Sequence, residues 1–111
     1  MNNKLFVYGT LAPGRPNEHI LNKIGGSFEA ASIIGILHNK GWGADMGSPG
    51  LTIDSEGAKI IGFLFTSDNL IKHWSKLDDF EGDGYERVLT TVKLKNNTSV
   101  EAFVYAIKNN N

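Results

Sequence analysis

The order of its segments is what most constrains this chain. Strand-like and helix-like stretches alternate as β-α-β-β-α-β-β. Most neighbouring strands follow one another with no helix between them. That argues against a doubly wound parallel sheet and for an α+β fold, a mixed and largely antiparallel sheet or small barrel with short helices. The strand stretches are residues 5–8 (LFVY), 27–39 with a bend expected at Gly35, 58–66 (AKIIGFLFT), 86–95 and 98–107. The last two alternate around Asn96-Asn97, a hairpin signal.

Two helices are predicted. Residues 17–24 (NEHILNKI) set Ile20, Leu21 and Ile24 on one face, with Pro16 near the start and Gly25-Gly26 at the end. Residues 67–80 form the stronger pattern. Ser67 or Asp68 serves as N-cap, Leu70, Ile71, Trp74 and Leu77 make one apolar face, and Gly82 is the expected stop. Residues 41–50 (GWGADMGSPG) hold four glycines and a proline without periodicity, the mark of a functional loop. Trp42 on that loop either covers a ligand or plugs the core edge.

A chain of 111 residues supports one domain, taken as residues 1–111. Thirteen glycines is about twice average usage, and they fall mostly between apolar runs, as expected of a loop-rich α+β or all-β chain. A net charge of −1 speaks against a general nucleic-acid or membrane-surface binder. The absence of cysteine removes disulfides, thiolate nucleophiles and Cys-ligated zinc, and fits a cytoplasmic location. No segment reaches the ~20 apolar residues of a membrane helix. Residues 5–12 behind Lys4 faintly imitate a signal peptide, but Tyr8, Gly9 and Thr10 interrupt it, so the stretch reads as mature structure.

Two stretches carry chemistry. Residues 5–14 (LFVYGTLAPG) run from a buried strand into an abrupt turn at Gly9. Backbone N–H groups there have no ladder partner and suit an anion such as a carboxylate. Residues 77–87 read LDDFEGDGYER. Asp78, Asp79 and Asp83 are expected in a solvated turn. Glu81 differs, because it sits at the negative end of a helix, among like charges and beside the apolar Phe80 and Tyr85. Each of these raises a carboxyl pKa, and a raised carboxyl suits a general base near neutral pH.

Other chemistries fit poorly. Asp79, Glu81, Asp83 and Gly84 imitate the start of a calcium loop, but Thr90 stands where the bidentate Glu belongs and a strand follows, so no metal is expected. His19, His38 and His73 have no ligand spacing. Residues 9–15 lack the Gly-Lys-Ser/Thr ending of a phosphate-binding loop. Thr10 and Ser48 have no adjacent His, which argues against a hydroxyl nucleophile.

Taken together, the two stretches resemble the γ-glutamylcyclotransferase-like family. The resemblance runs through Tyr8-Gly9-Thr10-Leu11, Gly41-Trp42-Gly43, Pro49-Gly50-Leu51, Leu77-Asp78-Asp79-Phe80-Glu81-Gly82 with Tyr85 and Arg87, and Val104-Tyr105. It implies a small mixed barrel flanked by helices, with the Tyr8, Gly9, Thr10, Leu11 loop beside Glu81 in one cavity. It also implies an enzyme that turns a γ-glutamyl amine, amino acid or peptide into 5-oxoproline and a free amine. On that reading the loop holds the substrate's α-amino-acid end, Glu81 accepts a proton, and no cofactor takes part. The same cavity would serve a non-catalytic binding or regulatory domain. Tyr8 is expected to contribute its backbone while its ring packs in the core. Arg87 either neutralises Asp83 or Glu86 or meets ligand, and Tyr105 either hydrogen-bonds Glu81 or fills the barrel. The leaving group and the oligomeric state stay open.

Overall fold

Residues 5–8 are apolar without alternation because the strand they form is covered on both faces. The structure, a computed structural model, describes residues 3–9, 11–38 and 50–108. In it β1 (Lys4–Val7) directs Phe6 to one core cluster and Leu5 and Val7 to another. The first cluster lies among the strands, with Ile33, Leu51, Ile60, Leu64, Val92 and Val104 around Phe6. The second lies between the strands and the helices, with Leu21, Leu70, Trp74 and Leu77 packed on Leu5, Val7 and Phe65. Period-two alternation thus sorts the side chains of β1 between two cores, and full burial of a Leu or Phe contributes about 1.5–3 kcal/mol.

The other strands are β2 (Ser27–His38), β3 (Gly50–Ile53), β4 (Ala58–Thr66), β5 (Tyr85–Leu94) and β6 (Ser99–Ile107). Their order is β3-β2-β4-β1-β6-β5, and a short β2–β5 pairing at Ala31 and Ser32 closes five of them into a barrel. β3 is the extra strand, laid on the far end of β2. Of these pairings only β1–β6 is parallel, with Leu5 opposite Phe103. The mixed, largely antiparallel barrel flanked by helices is therefore the observed architecture.

The hairpin and the first helix follow expectation closely. Asn97 takes φ 67° between β5 and β6, and the Asn96 side chain accepts from the Thr98 N–H at 2.9 Å. Helix α1 spans Glu18–Ile24 and ends at Gly25, φ 85°. The second helix differs. A 3-10 turn at Leu70–Lys72 comes first, and α2 spans only Trp74–Glu81. Ser67 explains the tight start: its hydroxyl accepts from the Asn69 N–H at 3.1 Å and donates to the Gly25 carbonyl. Asn69 Nδ2 also donates to the Ile24 carbonyl at 2.9 Å, tying the end of α1 to this turn.

Strand β3 was not expected, since residues 41–50 read as one loop; Gly50 is instead its first residue. Trp42 and the rest of that loop lie outside the described residues. β2 runs through Gly35 as one strand, and the glycine marks a close approach. The link from β3 to β4 passes so close to β2 there that a Cβ on Gly57 would lie 2.3 Å from the Gly35 carbonyl oxygen. The missing side chain of Gly57 makes that passage possible, while a Cβ on Gly35 would instead lie 2.7 Å from the Thr52 carbonyl oxygen of β3.

Candidate active site

Where β1 ends, Tyr8 and Gly9 carry the chain across the end of α2. The turn is closed by the Ala12 N–H donating to the Gly9 carbonyl at 3.1 Å, a bond that uses neither the Gly9 nor the Leu11 N–H. The next turn bonds Gly14 N–H to the Glu18 carboxylate at 3.1 Å, so the loop is anchored on α1. A small recess opens to solvent here, lined by Val7, Tyr8, Gly9, Leu11, Glu81 and Tyr105 over Phe6. The structure thus brings Tyr8, Gly9 and Leu11 together with Glu81. Thr10 lies outside the described residues.

Glu81 is the last residue of α2 and is half-buried. Burial raises its carboxyl from 4.5 to about 7. The cause is desolvation, not the helix end or the acidic neighbours. Nor does Phe80 shield it, since Phe80 is 39% exposed and faces the groove between α1 and α2. Asp79 and Asp83 are exposed, as a solvated turn requires.

Three phenols surround the acid. Burial first, and then the Glu81 charge, push the Tyr8 and Tyr85 hydroxyls above the usual phenol range. Tyr105 is raised by burial and by its hydrogen bond to Asp78. The Tyr8 ring is half-buried, stacked beside Phe6 on the recess wall, and its hydroxyl has a definite place: it donates to the Tyr105 main-chain carbonyl at 2.6 Å. The Tyr85 hydroxyl is buried and has no hydrogen-bond partner among the described residues. A Cβ on Gly50 would stand 3.9 Å from it, which sets it beside the start of β3. Sequence reasoning did not single out Tyr85 as a site residue. The available signal was its spacing, four residues beyond Glu81 across Gly82.

Asp78 is not in a solvated turn. Its carboxylate accepts from Arg87 Nε at 3.0 Å, Arg87 Nη2 at 3.3 Å and the Tyr105 hydroxyl at 2.7 Å. Partial desolvation works the other way, yet these bonds hold the Asp78 carboxyl below its usual range. Arg87 therefore pairs with Asp78 rather than Asp83 or Glu86, and Tyr105 bonds Asp78 rather than Glu81. Arg87 also lies over the Trp74 ring at 4.4 Å and the Phe103 ring at 4.7 Å. An exposed ion pair alone is worth roughly 0–1 kcal/mol, whereas stacked and bidentate it fixes a geometry.

A half-buried carboxyl, raised to about 7 by burial, thus stands beside a strand-to-loop turn and among three phenols at one end of a small barrel. The family model "Gamma-glutamyl cyclotransferase, AIG2-like" matches residues 5–111, and the chain belongs to that family. Among solved structures, YkqA from Bacillus subtilis is similar at 29% identity and a TM-score of 0.73, over 97% of this chain and 36% of that one. An AIG2-like protein from Mus musculus is similar at 23% identity and TM-score 0.73, over 98% of this chain and 79% of its own. A protein from Arabidopsis thaliana matches at 21% identity and TM-score 0.72, over 96% and 62%. The chain thus spans about a third of the Bacillus protein, and the two less similar structures share its fold. No curated protein sequence matches. Among the described residues, no helix is long and apolar enough to cross a membrane.

Proposed function

We propose that the protein is a cyclotransferase that converts a γ-glutamyl amine, amino acid or peptide to 5-oxoproline and the released amine. The observation that carries this reading is the Glu81 carboxyl, raised to about 7 at the edge of a recess whose other wall is the turn after β1. Family membership supports the reaction class.

The chemistry balances without a cofactor. The Glu81 carboxylate takes one proton from the substrate's α-ammonium, and the freed amine attacks the γ-carbonyl carbon to form the ring C–N bond. The bond from that carbon to the leaving nitrogen then breaks as the proton held by Glu81 passes to that nitrogen, and the second proton, shed by the ring nitrogen after attack, ends on the released amine, which leaves as its ammonium form. Backbone N–H groups of Tyr8, Gly9, Thr10 and Leu11 hold the α-carboxylate. Because the attack is intramolecular, positioning supplies much of the acceleration, on the order of several kcal/mol. The partner is a small molecule, neither nucleic acid nor membrane, and the reaction suits a cytoplasmic protein.

The test is 5-oxoproline release from a panel of γ-glutamyl amines, dipeptides and glutathione, comparing wild type with Glu81→Gln. Removal of a general base is expected to lower kcat about 10²–10⁴-fold. Equal turnover in both would remove Glu81 from the mechanism. Binding without release from any compound would favour a non-catalytic binding domain.

A further inference from the structure

The two walls of the recess belong to elements that no strand ladder joins. Glu81 rides on α2, and the turn that faces it follows β1. One chain of side-chain contacts connects them. Arg87 lies over the edge-to-face pair of Trp74 and Phe103 and grips Asp78, which lies one helical turn before Glu81. The same Asp78 oxygen, Oδ1, accepts the Tyr105 hydroxyl at 2.7 Å. The Tyr105 carbonyl in turn accepts the Tyr8 hydroxyl at 2.6 Å. Tyr105 is thus the joint, with its side chain bonded to α2 and its backbone bonded to the residue that starts the turn.

We propose that Asp78, Arg87 and Tyr105 are positioning residues that set the gap between Glu81 and the turn at Tyr8–Gly9, and with it the rate of ring closure. This rests on the cyclotransferase reading. Asp78 and Arg87 do not line the recess, so they act through others. Arg87's guanidinium is committed to Asp78 and two aromatic faces, which leaves the backbone of the turn, not Arg87, to receive the substrate's carboxylate. The ion pair is partly open to water, with side-chain exposures of 23% for Arg87 and 43% for Asp78. Such a pair adds little to stability, while its bidentate and stacked geometry restricts where the α2 terminus can sit. Ring closure is sensitive to such placement, since a displacement of about 1 Å can cost 10²-fold in rate.

The experiment compares wild type with Tyr105→Phe, which removes one hydroxyl and keeps the ring and the carbonyl. A fall in kcat of about tenfold or more with KM within about threefold is expected. Adding Asp78→Asn should lower kcat little further, because both changes break one contact chain. Unchanged kcat, or a loss carried by KM alone, would overturn the proposal. If Tyr105→Phe does not fold, Asp78→Asn alone carries the same two arms.

A second readout separates this proposal from the reaction itself. The Glu81 carboxyl is titrated by carbon NMR in wild type and in the variant, without substrate. It is faced by the Tyr8 phenol from the turn after β1, Tyr85 from β5 and Tyr105 from β6, with Asp78 on its own helix. Should wild type release no 5-oxoproline, the cyclotransferase reading fails while the titration still decides positioning. A displaced midpoint in Tyr105→Phe supports it, and an unchanged one overturns it.

Discussion

Glu81 closes helix α2 and Gly82, the next residue, turns the chain at φ +89° while its N–H donates to the Asp78 carbonyl at 3.1 Å. This positive φ with ψ −179°, a conformation that essentially only glycine adopts, lets the chain leave α2 directly toward β5, with Glu81 still held in the last helical turn. A Cβ on Gly82 would meet nothing within 4 Å, so its substitution tests the backbone alone. Gly82→Ala is expected to cost about 1 kcal/mol, read from urea or thermal unfolding. A cost near zero would mean that the φ value does not constrain this position.

The raised carboxyl makes Glu81 a stability liability with a definite sign. Its folded value is about 7 against 4.5 unperturbed, so the unfolded chain ionises first as pH rises. The folded state is uncharged and unpenalised below about 4.5, loses stability between there and 7, and carries a constant penalty above. A shift of this size corresponds to roughly 3 kcal/mol at alkaline pH. Glu81→Gln should therefore gain melting temperature over wild type at pH 8 and show no such gain at pH 4. Parallel melting curves at the two pH values would refute the assignment of the shift to burial.

The same carboxyl predicts the pH profile of turnover. The base is the ionised form, so kcat/KM should rise through a midpoint at about 7. Glu81→Gln should abolish that limb along with most of the activity. A rising limb retained in the residual activity of Glu81→Gln would assign the titration to another group.

Tyr85 offers a contrast between fold and function. Its buried hydroxyl has no partner among the described residues, so Tyr85→Phe removes an unsatisfied group. Stability is expected to stay level or rise by about 1 kcal/mol, as judged by denaturant melts. Turnover should fall nonetheless, because the hydroxyl lies within the field of the Glu81 carboxylate. Lower stability in the variant would show that the hydroxyl does have a partner.

How much of this could be read from residues alone depended on whether the signal was local. Ala58–Thr66, the Asn96-Asn97 hairpin and the stop of α1 at Gly25 rest on neighbours in sequence, and each was legible. Strand β3 was not, because four residues behind a glycine-rich stretch have no periodicity of their own and are ordered by pairing with β2. The split of the second helix depends on the Ser67 hydroxyl reaching both Gly25 and Asn69, one contact distant in sequence and one near. In the site, Glu81 and the turn after Tyr8 stood out by residue type. The Arg87–Asp78–Tyr105 contacts did not, since nothing in the spacing says which of several carboxylates an arginine will meet. Phe80 misled for a related reason: an apolar neighbour in sequence was read as a shield, but successive helical residues point in different directions.

The parallel pairing of β1 with β6, Leu5 opposite Phe103, also fixes an order of assembly. As the polypeptide leaves the ribosome, Tyr8 and Gly9 appear early and Glu81 much later, yet the strand that supports both comes after either. Until residues near Tyr105 have emerged, the Tyr8 hydroxyl lacks its acceptor and Asp78 one of its two donors. Closure of so long a chain segment is slow compared with formation of a helix or the β5–β6 hairpin. A nascent chain therefore carries Tyr8, Gly9, Leu11 and Glu81 before it has a recess, and Glu81 stays an ordinary, fully hydrated glutamate until the barrel shuts around it.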